Sequence, residues 1–227
     1  MSIRINQRAR FRSYIRYRPS VTVIGCGSVG SNIVRIAHSM DAASIDVYDA
    51  DTVENANTMI SFLAAYPEKK VVALLRALET VHGHADNVHV TEMEFSVVTD
   101  RDSLFSDVVV LAVDSIPTRL EIFEAWTKAG GPWLVDFRVA GTYASAFFVR
   151  RDRTDYNWYR SVTDVNDTYA RMPCGQESHP AVTSGWCTFV FSSFLAVLCR
   201  REEWPYRFAE GGALGLHISY EMDGGGD

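Results

Sequence analysis

VTVIGCGSVGSNIVRIAHSMDAASIDVYDAD, residues Val21 to Asp51, decides the fold. A short apolar, β-branched run, Val21 to Ile24, stops at Gly25-Cys26-Gly27-Ser28-Val29-Gly30. A run with helical spacing follows, Ser31 to Met40, with Ile33, Ile36 and Ala37 on one face. A second strand, Ala43 to Tyr48, ends at Asp49. Strand, glycine turn, helix and strand in that order form a βαβ unit with a nucleotide fingerprint. In it Gly25 permits the tight turn, Gly27 leaves room for a phosphate beside backbone, and Gly30 lets helix and strand approach. Asp49 stands about twenty residues on, where the fingerprint places a carboxylate for ribose hydroxyls. A glycine turn kept only for packing is the bland alternative.

Working outward, the same alternation continues. Lys69 to His82 reads as a helix, Val88 to Met93 as a strand, and Asp107 to Val113 as a buried strand. Pro117 to Ala129 reads as a helix and Trp133 to Val135 as a strand. Gly141 to Arg150 reads as an antiparallel strand leading out of the parallel part, and Ala181 to Cys199 as a buried helix. Asp152 to Pro173 reads as a polar, aromatic crossing segment. The fold class is therefore α/β: a Rossmann-like, doubly wound, mostly parallel sheet with added antiparallel strands at one end. Residues 1–20 form an arginine-rich arm, 21–220 a single nucleotide-binding domain, and 221–227 a glycine-rich tail expected to be flexible.

Composition narrows the function classes. A net charge of −6 gives no broad basic surface, so nucleic acid is not an expected partner. The apolar run Trp186 to Cys199 is short and hydroxyl-rich for a membrane span, and the polar N-terminus carries no apolar signal segment. A cytoplasmic protein is expected. Cys26, Cys174, Cys187 and Cys199 include no CxxC pair, so no structural zinc is expected.

The residues after the second strand carry a resemblance. Asp49, Asp51, Val53 and Asn57 match a D-x-D-x-V strand end with an asparagine six residues after the second acid. Pro67 to Ala73, with Lys69 and Lys70, resembles a lysine segment; Leu111-Ala112-Val113-Asp114-Ser115 resembles a fourth-strand acidic site; Asp136-Phe137-Arg138-Val139-Ala140-Gly141 resembles a DxRxxG segment. Together, over about Val21 to Arg200, these resemble the ThiF/MoeB/HesA family of ATP-dependent adenylyltransferases, which includes the ubiquitin-activating enzymes, and most closely its small phage and bacterial members. The resemblance implies ATP and Mg²⁺ as cofactors. It also implies a ubiquitin-like or sulfur-carrier protein as the partner whose C-terminal carboxylate is activated, and a homodimer.

It implies roles as well. Gly25, Gly27 and Gly30 would cradle phosphate, Asp49 would hold ribose, and Asn57 and Lys70, or Lys69, would contact phosphates. Asp51 would orient its loop or a cation, and Asp114 would be the magnesium ligand. Asp114 at a strand end, ahead of Pro117, also suits a plain helix cap. Cys174, before the last helix, stands where some members carry a thioester-forming thiol, with His179 nearby; an unreactive loop thiol is the alternative. One departure is plain. Ile60 occupies the place of an arginine that contacts the triphosphate, and an apolar residue cannot neutralise phosphate. Arg138, or an arm arginine such as Arg10 or Arg12 from a second subunit, would have to substitute. Two other classes remain: a non-catalytic scaffold subunit, favoured by Ile60, and an NAD-dependent oxidoreductase, in which Asp51, Asn57 and the lysines have no role.

Overall fold

A computed structural model describes residues 15–54, 61–63, 67–140, 143–152, 156–165, 180–212 and 215–222. Eight strands form one sheet: β1 (Ser20–Ile24), β2 (Ser44–Tyr48), β3 (Val88–Thr91), β4 (Val108–Leu111), β5 (Trp133–Ala140), β6 (Tyr143–Arg150), β7 (Tyr206–Gly212) and β8 (Gly215–Met222). Their order is β3-β2-β1-β4-β5-β6-β7-β8. The first five run parallel, and β6, β7 and β8 add on antiparallel at one edge. The register sets Val23 beside Val47 and Val110, a row of β-branched residues in the middle of the sheet.

Helices α1 (Ser28–Ser39), α2 (Lys70–His82), α3 (Ile116–Ala129), α4 (Tyr156–Val165) and α5 (Pro180–Cys199) cover both faces. Alternation along the strands divides the core accordingly. Val21, Val23, Ile45, Val47, Val108, Val110 and Val135 lie with α1, α2 and α5. Ile24, Val109, Leu111 and Leu134 face the other way, onto Ile122, Phe123 and Trp126 of α3 and Tyr159 of α4. The doubly wound, mostly parallel sheet expected from the sequence is present, with its antiparallel extension.

Three differences are informative. β5 runs five residues beyond Val135, because pairing with β6 continues through Arg138 and Ala140, and that extension carries two charged side chains. The crossing segment contains α4, whose aromatic and polar composition hid Tyr159 and Thr163 on one buried face. The hairpin of β7 and β8 has no sequence counterpart, since its glycines and charges break the alternation.

α5 starts one residue ahead of the Ala181 to Cys199 helix read from the sequence. Ala181–Cys199 is, by length and composition, long enough to cross a membrane. Its residues Cys187, Val190, Phe191, Phe194 and Leu195 are buried in the core beside the sheet and α1.

Candidate active site

The strand order reverses between β2-β1 and β4-β5, so the crevice beyond the carboxyl ends of β1, β2 and β4 is a topological switch point. Open α/β sheets bind ligands there. The glycine turn leaves β1, Asp49 follows β2 and Asp114 follows β4, so the sheet brings all three to that end.

The glycine turn is built from backbone contacts. Gly25 has φ +97°, and a Cβ on it would lie 2.6 Å from the Ala112 carbonyl oxygen. Its amide donates to the Tyr48 carbonyl at 2.9 Å, which ties the turn to β2. A Cβ on Gly30 would stand 1.9 Å from the Gly25 carbonyl oxygen, so helix α1 rests directly on the turn. Gly27 caps α1 without a side chain, and a Cβ there would meet nothing within 4 Å. The first helical amides have no partner inside the helix, and the dipole's positive end faces the same way. No acidic residue stands in that first turn. An anion fits such a terminus.

Asp49 is half-buried and welds the turn to the next loop. Its Oδ2 accepts from the Cys26 amide at 2.6 Å and its Oδ1 from the Asp51 amide at 2.8 Å. Each oxygen keeps a lone pair for another donor. Cys26 is fully buried, and burial first, then the Asp49 charge, pushes its thiol far up, so it is an inert space-filler and not a nucleophile. Lys70 opens α2; its amide donates to the Asp51 carbonyl at 2.9 Å and its Nζ to Asp51 Oδ2 at 2.6 Å. Burial lowers the Lys70 pKa, but Asp51 and Asp49 outweigh it and the net shift is upward, which keeps a full positive charge beside the turn. Lys69 donates its Nζ to the Ala50 carbonyl, so of the two lysines only Lys70 is ion-paired with Asp51.

Asp114 is exposed. The cap of α3 is Ser115, whose side chain accepts from the Thr118 amide at 3.3 Å, so the capping alternative for Asp114 is filled by its neighbour. Among the described residues no group of three or more His, Cys, Asp or Glu is placed to hold a metal. Asp114 offers one exposed carboxylate, and magnesium takes one or two carboxylates and completes its shell with phosphate oxygens and water.

The profile of the ThiF family matches residues 13–199. The chain belongs to the ThiF family. Among solved structures it is similar to E. coli MccB with AMPCPP and selenomethionine MccA, with TM-score 0.72 and 13% identity over 94% of this chain and 66% of that one. E. coli MccB with ATP gives 0.70 and 11% over the same shares. Selenomethionine PaaA gives 0.64 and 13% over 93% of this chain and 66% of that one. At such identities the likeness shows the fold, and this ThiF-family chain spans just under two thirds of the length of these proteins. No curated protein matches the sequence.

Arg138 is placed by β5 in a buried cluster. Its Nε donates to Asp136 Oδ2 at 2.7 Å, its Nη2 donates to Thr163 Oγ1 at 2.7 Å, and its guanidinium carbon lies 4.3 Å from the Phe147 ring centre. Burial lowers its pKa. Asn57, Ile60, Gly141, Cys174, His179, Arg10 and Arg12 lie outside the described residues.

The sequence reading passed over two residues that shape the site. Ser31 is fully buried; its Oγ donates to the Gly27 carbonyl at 2.7 Å and accepts the Phe62 amide at 2.9 Å, which ties residues 61–63 to α1. Ser31→Ala is expected to cost about 1 kcal/mol in chemical denaturation, the worth of the hydrogen bonds lost. Arg119 is the second. It shares a helical face with Ile122, Phe123 and Trp126, all buried, so the sequence did carry the signal of a charge on an apolar stripe.

Proposed function

We propose that this ThiF-family chain is an ATP-dependent adenylyltransferase that activates the C-terminal carboxylate of a ubiquitin-like or sulfur-carrier protein. The observation that carries the reading is the meeting of the glycine turn, the Asp49 weld, charged Lys70 and exposed Asp114 at one switch point. The substrate carboxylate attacks the α-phosphorus of ATP, the bond to the β-phosphate oxygen breaks, and pyrophosphate leaves from an acyl-adenylate. Gly25, Gly27 and Gly30 with the α1 terminus hold phosphate, and Asp49 accepts from ribose hydroxyls. Lys70 and Asn57 steady the phosphates, with Asp51 orienting Lys70. Magnesium, held by Asp114, would supply charge neutralisation on the phosphates. Holding the reactants in line and stabilising developing charge is most of what such a transfer needs.

Ile60 leaves one positive charge to be found. Moving Arg138 toward a phosphate would break its ion pair with buried Asp136. An arm arginine from a second subunit, Arg10 or Arg12, is the alternative source. Val182 and Phe189 stand exposed two turns apart on α5, where the contact of a homodimer would cover them. Cys174 is proposed as a thioester acceptor; a reductant-sensitive adduct with the carrier should vanish in Cys174→Ala, and an adduct that survives excludes it.

Titration calorimetry with ATP and with NAD, followed by ATP–pyrophosphate exchange with candidate carriers, tests the main reading. ATP binding, and exchange that falls at least about 100-fold in Asp114→Ala, is the expected result. NAD binding without ATP binding overturns it in favour of an oxidoreductase. ATP binding without exchange, restored by Ile60→Arg, establishes the scaffold reading.

A further inference from the structure

Behind the Asp114 loop lies a charge cluster that no step above uses. Asp136 is fully buried on β5 and Arg119 is nearly so on α3. They are ion-paired, and Asp136 Oδ2 also takes Arg138 Nε at 2.7 Å and the Tyr159 hydroxyl at 2.8 Å. Two guanidiniums thus share one carboxylate. Arg119 has a second contact: its Nη2 donates to the Val113 carbonyl, the residue before Asp114. The backbone of Ala112 and Val113 is also the wall against which Gly25 turns, 2.6 Å from a Cβ that Gly25 lacks. One guanidinium therefore supports the strand end from which both the glycine turn and the Asp114 loop are hung.

The geometry points to Arg119 as a positioning residue, locked by Asp136, that holds the Val113 carbonyl and so fixes the loop whose Asp114 carboxylate would hold magnesium. The inference rests on the ATP reading for its ligand, and on Arg119 geometry alone for its mechanics. Burial brings the Arg119 pKa down only to about 10, so the side chain is charged at neutral pH. A plain structural brace would hold the helix to the sheet and leave magnesium affinity alone. A positioning residue must change it.

Arg119→Lys separates these roles. Lysine keeps the charge but lacks the planar fork, so it reaches Asp136 or Val113 and not both. Magnesium dependence of ATP binding is read by calorimetry with and without chelator, and amide exchange is read by mass spectrometry. The expected variant melts cooperatively and binds metal-free ATP like the parent. Its magnesium half-saturation rises at least about tenfold, the usual scale for losing a residue that orients a metal ligand. Exchange in residues 112–115 accelerates about tenfold while Ser44–Tyr48 is unchanged. Unaltered magnesium dependence with unaltered exchange overturns the proposal. Should Arg119→Lys fail to fold, the unsubstituted protein still decides: residues 112–115 must exchange as slowly as β4, and exchange as fast as the exposed turn residues Val98 and Thr99 overturns it. If ATP does not bind the parent, the ATP reading fails, and exchange alone then judges whether Arg119 holds the loop.

Discussion

Gly30→Ala is expected to unfold the nucleotide turn, at a cost of about 3 kcal/mol or more, while Gly27→Ala is expected to stay within about 1 kcal/mol of the parent in chemical denaturation. Both replace one glycine of the same motif with the same methyl group, and only the surroundings differ. At position 30 the methyl would sit 1.9 Å from the Gly25 carbonyl oxygen. That oxygen belongs to backbone and cannot rotate away. The turn itself has nowhere to go, because Gly25 is pressed against Ala112 on β4 and bonded to Tyr48 on β2. At position 27 the methyl meets nothing within 4 Å. The empty space there faces the helix terminus that phosphate would occupy, so Gly27→Ala should weaken ATP binding at nearly full stability. Equal destabilisation by the two substitutions would mean that helix and turn separate more easily than their contacts imply. Full ATP affinity in Gly27→Ala would mean that phosphate sits elsewhere.

The pair also shows what the sequence could carry. Spacing of glycines between a strand and a helix was enough to assign each a different task, and the fold followed because apolar strand runs and helical spacing alternate cleanly up to Trp133. Legibility fades where burial stops following apolarity. Tyr159 and Thr163 are buried on a helix that reads as polar, and β7 and β8 are strands rich in glycine and charge. At the switch point, the candidates Asp49 and Lys70 were legible from motif order. Their attachment was not, since Asp49 acts through the amides of Cys26 and Asp51, and amides leave no mark on a sequence. Ser31 was missed for the same reason: one of its two bonds goes to a backbone amide 31 residues away.

Asp136→Leu is expected to cost about 3–5 kcal/mol, the range for breaking a buried ion pair from one side. The size comes from what is left behind and not from what is removed. Without the carboxylate, Arg119 and Arg138 face each other in an interior they share with Tyr159, whose hydroxyl loses its acceptor too. Burial already holds both guanidinium pKa values down, so the cluster has no reserve of solvation to draw on. Removing Arg119 at the same time relieves most of that conflict. The double variant Arg119→Met, Asp136→Leu should therefore be clearly less destabilised than the sum of its single variants, with an interaction energy of about 1–3 kcal/mol in a double-mutant cycle. Strict additivity would show that the two charges do not meet in solution. A stable double variant has a second use. It would keep the sheet and α3 while leaving the Val113 carbonyl without its donor, so its ATP binding should stay weak in magnesium even where its melting is restored. Stability and magnesium affinity would then part company at one buried arginine, which is what distinguishes a residue that aims the site from one that merely holds the fold.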